Sequence, residues 1–184
     1  MALGNEEQYR QACLLCDNKN YDKAFEIFLS LAKNDDVDAQ DSVAYLYNNG
    51  LGVTKDSSLA EHWWDESIKS ENENAMYNKA CHLLDQNNTD EAISLLEEAS
   101  LHDQEDALHL LGGYYFHGIH VVKDQKKAIS YFQKAAIMSH SEAFEDFMSA
   151  LSIVYNQWQV RAKMIKFVFL SLRYKIKTFL ISRR

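Results

Sequence analysis

Small residues recur in two columns along the chain, and their spacing limits what the chain can fold into. Successive members lie 32, 36 and 32 residues apart in the first column, and 36, 32 and 36 apart in the second: Ala12, Ala44, Ala80 and Gly112, then Ala24, Ala60, Ala92 and Ala128. Close contact between two helices needs small side chains, because a larger substituent on Cβ pushes the axes apart. The columns therefore predict stacked, repeating helical hairpins.

The variation in spacing falls at one place, a loop that the chain contains twice. The segments GLGVTKD, residues 50–56, and GIHVVKD, residues 118–124, begin 68 residues apart. Each extends a turn between two helices by four residues, and Asp56 stands where an N-cap would satisfy free amides of the following helix. A structural joint is needed in every copy of a module, so the repetition favours a modular architecture over a catalytic loop.

The chain has no proline and only six glycines, which favours long uninterrupted helices. Apolar residues fall at helical intervals, as Phe25, Phe28 and Leu31 do. The pattern predicts an all-α solenoid of about four helix-turn-helix repeats over residues 1–156, followed by a basic amphipathic helix within residues 157–184. We expect helices near residues 6–17, 21–33, 37–48, 57–70, 73–85, 90–101, 105–117, 125–138, 141–155 and 157–180.

Both loop-bearing repeats resemble Sel1-like repeats, a branch of the tetratricopeptide-repeat-like superfamily. The second copy matches that pattern at Gly112, Tyr115, Gly118, Val121, Asp124, Lys127, Ala128, Tyr131, Phe132, Lys134, Ala135 and Ala136. The first matches at Ala44, Tyr47, Gly50, Gly52, Val53, Asp56, Ala60, Trp63 and Trp64, and departs from it at Glu66 and Ser67. The resemblance covers about residues 6–147 and implies a right-handed superhelix of helix pairs that holds other proteins, usually without catalysis.

Charge is divided unequally along the chain. All 27 acidic residues lie at or before Asp146, whereas residues 151–184 contain eight basic residues and no acid. With the remaining eleven basic residues, residues 1–150 sum to −16 and the C-terminal segment to +8. This segregation indicates two surfaces with different roles. Three cysteines without a disulfide pattern, and no visible secretory signal, favour a cytoplasmic location, with membrane association as an alternative.

The resemblance also implies a binding surface, because the first helix of each pair lines the concave side in related repeats. Offsets of −6, −3, +1 and +4 from the first small-residue column fall on one stripe of that helix. The predicted groove comprises Glu6, Tyr9, Asp38, Asp41, Tyr45, Asn48, Asn74, Tyr77, Asp106, His109 and Phe116, beside Cys13, Cys16, Cys81 and Leu84. It is acidic and aromatic and holds no lysine or arginine, so we expect a protein partner with a basic or basic-apolar segment. An adaptor and an immunity protein that neutralises a secreted toxin both fit, and simple solvation of these side chains is the alternative.

Motifs for catalysis or metal binding are weak. Cys13 and Cys16 form a lone CxxC, whereas a structural zinc site needs four ligands with recognisable spacing. The chain contains no phosphate-binding loop and no nucleophile elbow. We therefore predict a non-enzymatic protein with no catalytic residue, no metal and no cofactor.

The C-terminal segment carries an apolar seam with steps of four and three residues: Trp158, Ala162, Ile165, Phe169, Leu172, Ile176 and Phe179. Basic residues gather on one flank, and the candidate docking or membrane-surface residues are Trp158, Arg161, Lys163, Lys166, Phe169, Arg173 and Lys177. Three roles remain open: a cap on the solenoid, a helix that fills an acidic groove, or an interfacial helix that recruits a peripheral scaffold to anionic membranes. Nucleic acid is disfavoured, because a body with a charge of −16 repels phosphates.

Overall fold

A computed structural model describes residues 4–138 and 141–181, with side chains placed for 4–138 and 142–178. Within those ranges all regular secondary structure is α-helix, which confirms the predicted all-α solenoid class. Each helix ends within two residues of its predicted bounds. The ten helices of the described part are α1 Asn5–Asp17, α2 Tyr21–Ala32, α3 Val37–Asn49, α4 Ser57–Ile68, α5 Glu73–Asp85, α6 Thr89–Leu101, α7 Glu105–His117, α8 Gln125–Ile137, α9 Ser141–Val154 and α10 Gln157–Ile181.

The chain forms two compact units, Met1–Asn88 and Thr89–Arg184. In the first unit, helices α1 to α5 pack in sequence order, each against the next. In the second unit, α6 to α9 also pack each against the next. Helix α10 then packs on both α8 and α9. A functional boundary at residue 156, between repeats and C-terminal helix, stays a prediction.

The small-residue columns lie where helices meet. The seven alanines of the two columns have no exposed surface, and Gly112 is buried. A Cβ added to Gly112 would stand 2.5 Å from the Phe132 ring of the next helix. The spacing of small residues therefore records closest approach between helix pairs, as the sequence predicts.

The repeated loop joins α3 to α4 in the first unit and α7 to α8 in the second. Gly50 and Gly118 end the preceding helices in the left-handed conformation, which glycine adopts without strain. Asp56 caps α4 by accepting a hydrogen bond from the Leu59 amide at 3.0 Å, and Asp124 caps α8 through the Lys126 and Lys127 amides. These caps satisfy amides that the first turn of a helix leaves without partners.

Each unit has its own apolar core. Phe28, Leu31, Val43 and Leu46 are buried between α2 and α3 of the first unit. In the second unit, the core of α8 and α9 includes Phe132, Phe147 and Leu151, and Phe167 of α10 joins it. Among the described residues, none of the helices combines the length and the apolar character that crossing a membrane requires.

Candidate partner-binding site

An open pocket of about 420 Å³ lies in the first unit, on the side of α1, α3 and α5. Two predicted groove residues, Asp41 and Tyr45, line it together with the thiols Cys13 and Cys16. Its remaining lining is Asp17, Tyr21, Phe28, Ser42, Leu46, Leu51 and Asn78. The lining therefore combines two carboxylates with aromatic, aliphatic and sulfur surface, and includes no basic side chain.

Asp41 is the most constrained carboxylate of the pocket. Its Oδ1 accepts hydrogen bonds from Trp64 Nε1 and Asn78 Nδ2, both at 3.0 Å, and its Oδ2 accepts from Asn78 Nδ2 at 3.1 Å. Burial raises the pKa of Asp41, and the hydrogen bonds from Asn78 and Trp64 oppose that rise. Asp41 thus ties α3 to α4 and α5, so it has a structural role that the stripe on the helix surface does not reveal.

Tyr9 and Asp38 border the same region through Ser42. The Tyr9 hydroxyl lies 3.2 Å from Ser42 Oγ, and Ser42 Oγ donates to the Asp38 carbonyl at 2.9 Å. Burial raises the pKa of Tyr9 to about 12, so its hydroxyl stays protonated at neutral pH. The exposed Asp38 carboxylate accepts from Asn72 Nδ2 at 3.2 Å, which links α3 to the N-cap of α5.

The two thiols of the pocket are poor nucleophiles. Burial raises the pKa of Cys13 and of Cys16, and the nearby Asp17 charge adds to both shifts. A thiol with a raised pKa is mostly protonated at neutral pH and reacts slowly. No group of three or more potential metal ligands occurs among the described side chains.

Other predicted groove residues of the first unit lie outside the pocket lining. Glu6 and Asn74 are exposed, and Asn48 and Tyr77 are half-buried. Only some of the groove residues predicted in the first unit therefore line the pocket, and the others lie elsewhere on the surface of that unit.

Three predicted groove residues belong to the second unit and have different surroundings. His109 Nε2 lies 2.8 Å from Asp146 Oδ2, and its ring packs 5.8 Å from that of Phe132. Phe116 is half-buried and also lies near Phe132, with ring centroids 6.4 Å apart. Asp106 is exposed. His109 is therefore engaged with α9 in an ion pair when its ring is protonated.

Helix α10 leaves most of the predicted apolar seam exposed and packs on its unit through another face. Helix α10 contacts its unit through Phe167, Val160 and Met164, whereas Trp158, Ile165, Phe169, Leu172 and Ile176 of the predicted seam are exposed. Phe179 lies outside the described side chains. The face with Phe167 and the predicted seam both have steps of four and three residues, so periodicity alone does not show which of the two faces is buried.

The candidate basic residues of α10 are mostly exposed. Arg161, Lys166, Arg173 and Lys177 face solvent, and the Arg161 guanidinium lies 5.6 Å from the Trp158 ring. Lys163 is half-buried, with its ammonium 4.4 Å from the Tyr155 ring. Lys163 therefore supports the packing of α10, and the others remain accessible.

Some pocket residues were missed because they lie off the predicted stripe. Asp17 ends α1, Tyr21 begins α2, and Asn78 lies two residues before Ala80 of the first column. The end of one helix and the start of the next are adjacent in any helical hairpin, so Asp17 and Tyr21 could have been inferred from the turn. Asn78 carries no such signal.

Helix pairs that pack in sequence order define the class of α-solenoid repeat proteins. The sequence model of the Sel1 repeat family matches residues 16–36, 37–72 and 105–140, just over half of the chain. The chain belongs to the Sel1 repeat family, whose members are generally non-catalytic scaffolds for protein–protein interaction. No curated relative matches this chain.

Two solved structures share the fold. A protective antigen of uropathogenic Escherichia coli with an SLR fold has a TM-score of 0.71 and 17% identity, covering 92% of this chain and 38% of its own. A Sel1 repeat protein from Oxalobacter formigenes has a TM-score of 0.67 and 23% identity, covering 75% of this chain and 58% of its own. This chain thus spans less than two thirds of either protein, and the likeness shows the fold alone.

An immunity protein from Pseudomonas aeruginosa aligns over 95% of this chain and 84% of its own, with 16% identity and a TM-score of 0.48. Similarity at that level supports no inference about function.

Proposed function

We propose that this protein binds a basic segment of a partner protein at the pocket of the first unit. The observation that carries the proposal is the open pocket of about 420 Å³, with the half-buried, hydrogen-bonded carboxylate of Asp41 on its wall. Neutral groups, the indole of Trp64 and the amide of Asn78, donate the hydrogen bonds to that carboxylate. An incoming cation would compensate a charge that burial makes costly.

The rest of the lining suits a lysine or arginine side chain. Such side chains combine an apolar stem with a charged tip. The half-buried Tyr21 and Leu51 offer apolar surface for the stem, and Asp17 offers a second carboxylate for the tip. Tyr45 is 49% exposed, so its ring is available to cover the partner or to stack on a guanidinium.

Charge on the rest of the chain favours the same class of partner. Residues 1–150 sum to −16, and a field of that sign speeds the arrival of a basic segment. Rapid capture suits both an adaptor and an immunity protein. The proposal is the chemistry of recognition that the two roles share.

The test measures binding of a short fluorescent peptide in which lysine or arginine alternates with leucine, against the same peptide with glutamate in place of the cations. We expect only the basic peptide to bind, with affinity that falls as salt is raised. Asp17→Asn should weaken binding by up to about fivefold, the usual range for an exposed charge pair. Asp41 is unsuitable for this test because its loss would also disturb α3, α4 and α5.

Asp85→Asn is the matched control. Asp85 ends α5 as Asp17 ends α1, lies 68 residues further on, and is outside the pocket lining. Its substitution removes the same charge and should leave affinity nearly unchanged. Failure of basic peptides to bind, or equal losses in both variants, would reject the pocket as the binding site.

The two biological roles differ in what the captured partner does on its own. An immunity role requires a partner that stops growth when produced alone and is harmless when produced with this chain. An adaptor role requires a partner without toxicity whose location or activity changes on binding. Growth of cells that express the partner with and without this chain separates them.

A further inference from the structure

Helix α10 has two apolar faces on opposite sides. One face packs on the second unit through Val160, Met164 and the buried Phe167. The opposite face, termed here the outer face, consists of Trp158, Ile165, Phe169, Leu172 and Ile176, which are 51–78% exposed. Large apolar side chains aligned in this way on one face mark an interaction surface rather than scattered exposure.

Basic residues flank the outer face on both sides. On a helix of 3.6 residues per turn, the outer face lies within about 40° of the Trp158 direction. Lys166, Arg173 and Lys177 fall at about 60° to 100° on one side, and Arg161 and Lys175 at about 60° to 100° on the other. All five are exposed, and residues 151–184 include no acidic residue.

An apolar strip between two cationic edges fits a flat anionic surface. The apolar side chains can enter the boundary between lipid headgroups and acyl chains, while the long basic side chains extend to the phosphates. Tryptophan at one end of the strip is typical of helices that lie at that depth. Pairing with α10 of a second copy would instead bring two sets of like charges together.

We propose that the outer face of α10 docks on an anionic lipid bilayer, with the helix axis parallel to the membrane plane. The Phe167 face keeps α10 on the second unit, so capping and membrane docking use opposite sides of one helix. This interaction is separate from the binding of a basic segment in the first unit. Either can fail without the other.

The test uses the full chain and vesicle flotation. We expect the protein to float with vesicles of phosphatidylcholine and phosphatidylserine at a ratio of 4:1, and to stay in solution with phosphatidylcholine alone. The double variant Ile165→Glu, Phe169→Glu places two anions in the outer face and should lower the partition coefficient at least tenfold. Circular dichroism checks that the variant remains folded. We expect it to, because both substituted side chains are exposed.

A matched control places two glutamates at exposed apolar positions elsewhere in the second unit. Leu101 and Val122 are 79% and 88% exposed and lie outside α10. Leu101→Glu, Val122→Glu changes net charge by the same amount and should float like the wild type. A comparable loss in both double variants would mean that net charge alone governs binding, and would overturn the role of the outer face.

Charge is tested with Lys166→Gln, Arg173→Gln, Lys177→Gln. Each basic residue removed near the surface should lower partition about fivefold, and all three on the order of a hundredfold. Wild-type binding should weaken as salt rises. Binding of this triple variant equal to that of wild type would contradict the proposal.

Trp158 reports directly on the outer face. Its fluorescence should shift to shorter wavelength when anionic vesicles are added, and Trp158→Phe should keep binding while losing the shift. Absence of flotation by the wild type would overturn the proposal. So would self-association of the wild type that Ile165→Glu, Phe169→Glu abolishes without any vesicle binding, because a second copy would then cover the face.

Discussion

The polar contact between the third and fifth helices of the first unit recurs in the second unit with donor and acceptor exchanged. In the first unit, Asp41 of α3 accepts from Asn78 of α5. At positions 68 residues later, His109 of α7 pairs with Asp146 of α9. The Asp41 side chain is half-buried, whereas the Asp146 side chain is 52% exposed. The repeat therefore keeps a place for a polar bridge without keeping its chemistry.

A second pair of equivalent positions differs in the same way. Tyr47 packs edge-on against Phe25, with ring centroids 5.1 Å apart. Its equivalent Tyr115 instead donates to Glu97 Oε1 at 2.7 Å and accepts from Lys127 Nζ at 2.6 Å. The first unit uses an apolar contact where the second uses a hydrogen-bonded ion pair. What both units share is small residues at the helix crossings and capped loops, so the fold depends on those.

Substitution of Gly52 should cause the largest difference in stability between equivalent positions of the two units. A Cβ at Gly52 would collide with the backbone of Tyr21, and Gly52 has a φ of +68°. The equivalent position of the second loop is His120, which has a φ of +61° and carries a side chain. Gly52→Ala should lower the free energy of unfolding by about 3 kcal/mol or more, from overpacking and left-handed strain together.

The matched variant His120→Ala should change stability by less than about 1 kcal/mol, since that backbone already holds a side chain. Urea denaturation measures both. Equal effects at the two positions would show that the two loops pack alike.

Removal of Asp41 should come next. Asp41→Ala leaves the buried Trp64 indole and the half-buried Asn78 amide without their acceptor, at a cost of about 2 kcal/mol. Asp146→Ala breaks the equivalent bridge at an exposed carboxylate and should cost less than about 1 kcal/mol. Denaturant midpoints of the two variants test the difference, and a larger loss for Asp146→Ala would reverse the assignment of the structural bridge.

Adjacent glycines of α7 provide a sharper test of close packing. Gly112→Ala forces a methyl group against the buried Phe132 ring and should destabilise by about 1 to 2 kcal/mol. Nothing lies within 4 Å of a Cβ on Gly113. Gly113→Ala should therefore stabilise by about 0.5 to 1 kcal/mol through helix propensity. Thermal unfolding of the two variants should give stability changes of opposite sign if the small-residue column is needed for close helix contact. Stability changes of the same sign would contradict that requirement.

The smallest effect concerns pH. Burial raises the pKa of Asp41 above its ordinary value of 3.8, so the folded chain holds this proton more tightly than the unfolded chain. The contribution of Asp41 to stability is full below the unfolded pKa and is lost as pH rises through the folded one. Asp41→Asn should therefore reduce the fall in the free energy of unfolding as pH rises above about 4, which urea unfolding at a series of pH values measures. Asp146→Asn is the control, and an unchanged slope in Asp41→Asn would contradict the assignment.

Much of the fold followed from local sequence signals. Ala12 and Ala24 report on helix crossings because only small side chains permit that approach. Gly50 and Asp56 mark the end of one helix and the start of the next through left-handed and N-cap geometry. The candidate site was less accessible to sequence reasoning, because the position of Asn78 in the pocket depends on how α5 packs.

The sequence by itself determined the helices, their joints and the columns of small residues, since each depends on neighbours within a turn or on a fixed repeat length. Only the tertiary structure decided which apolar face of α10 is buried, because Phe167 and Phe169 both fit a helical period. It also decided that Asp41 is half-buried while Asp38 on the same stripe is exposed. Burial depends on which side chains arrive from helices distant in sequence, and here Trp64 and Asn78 enclose the carboxylate of Asp41.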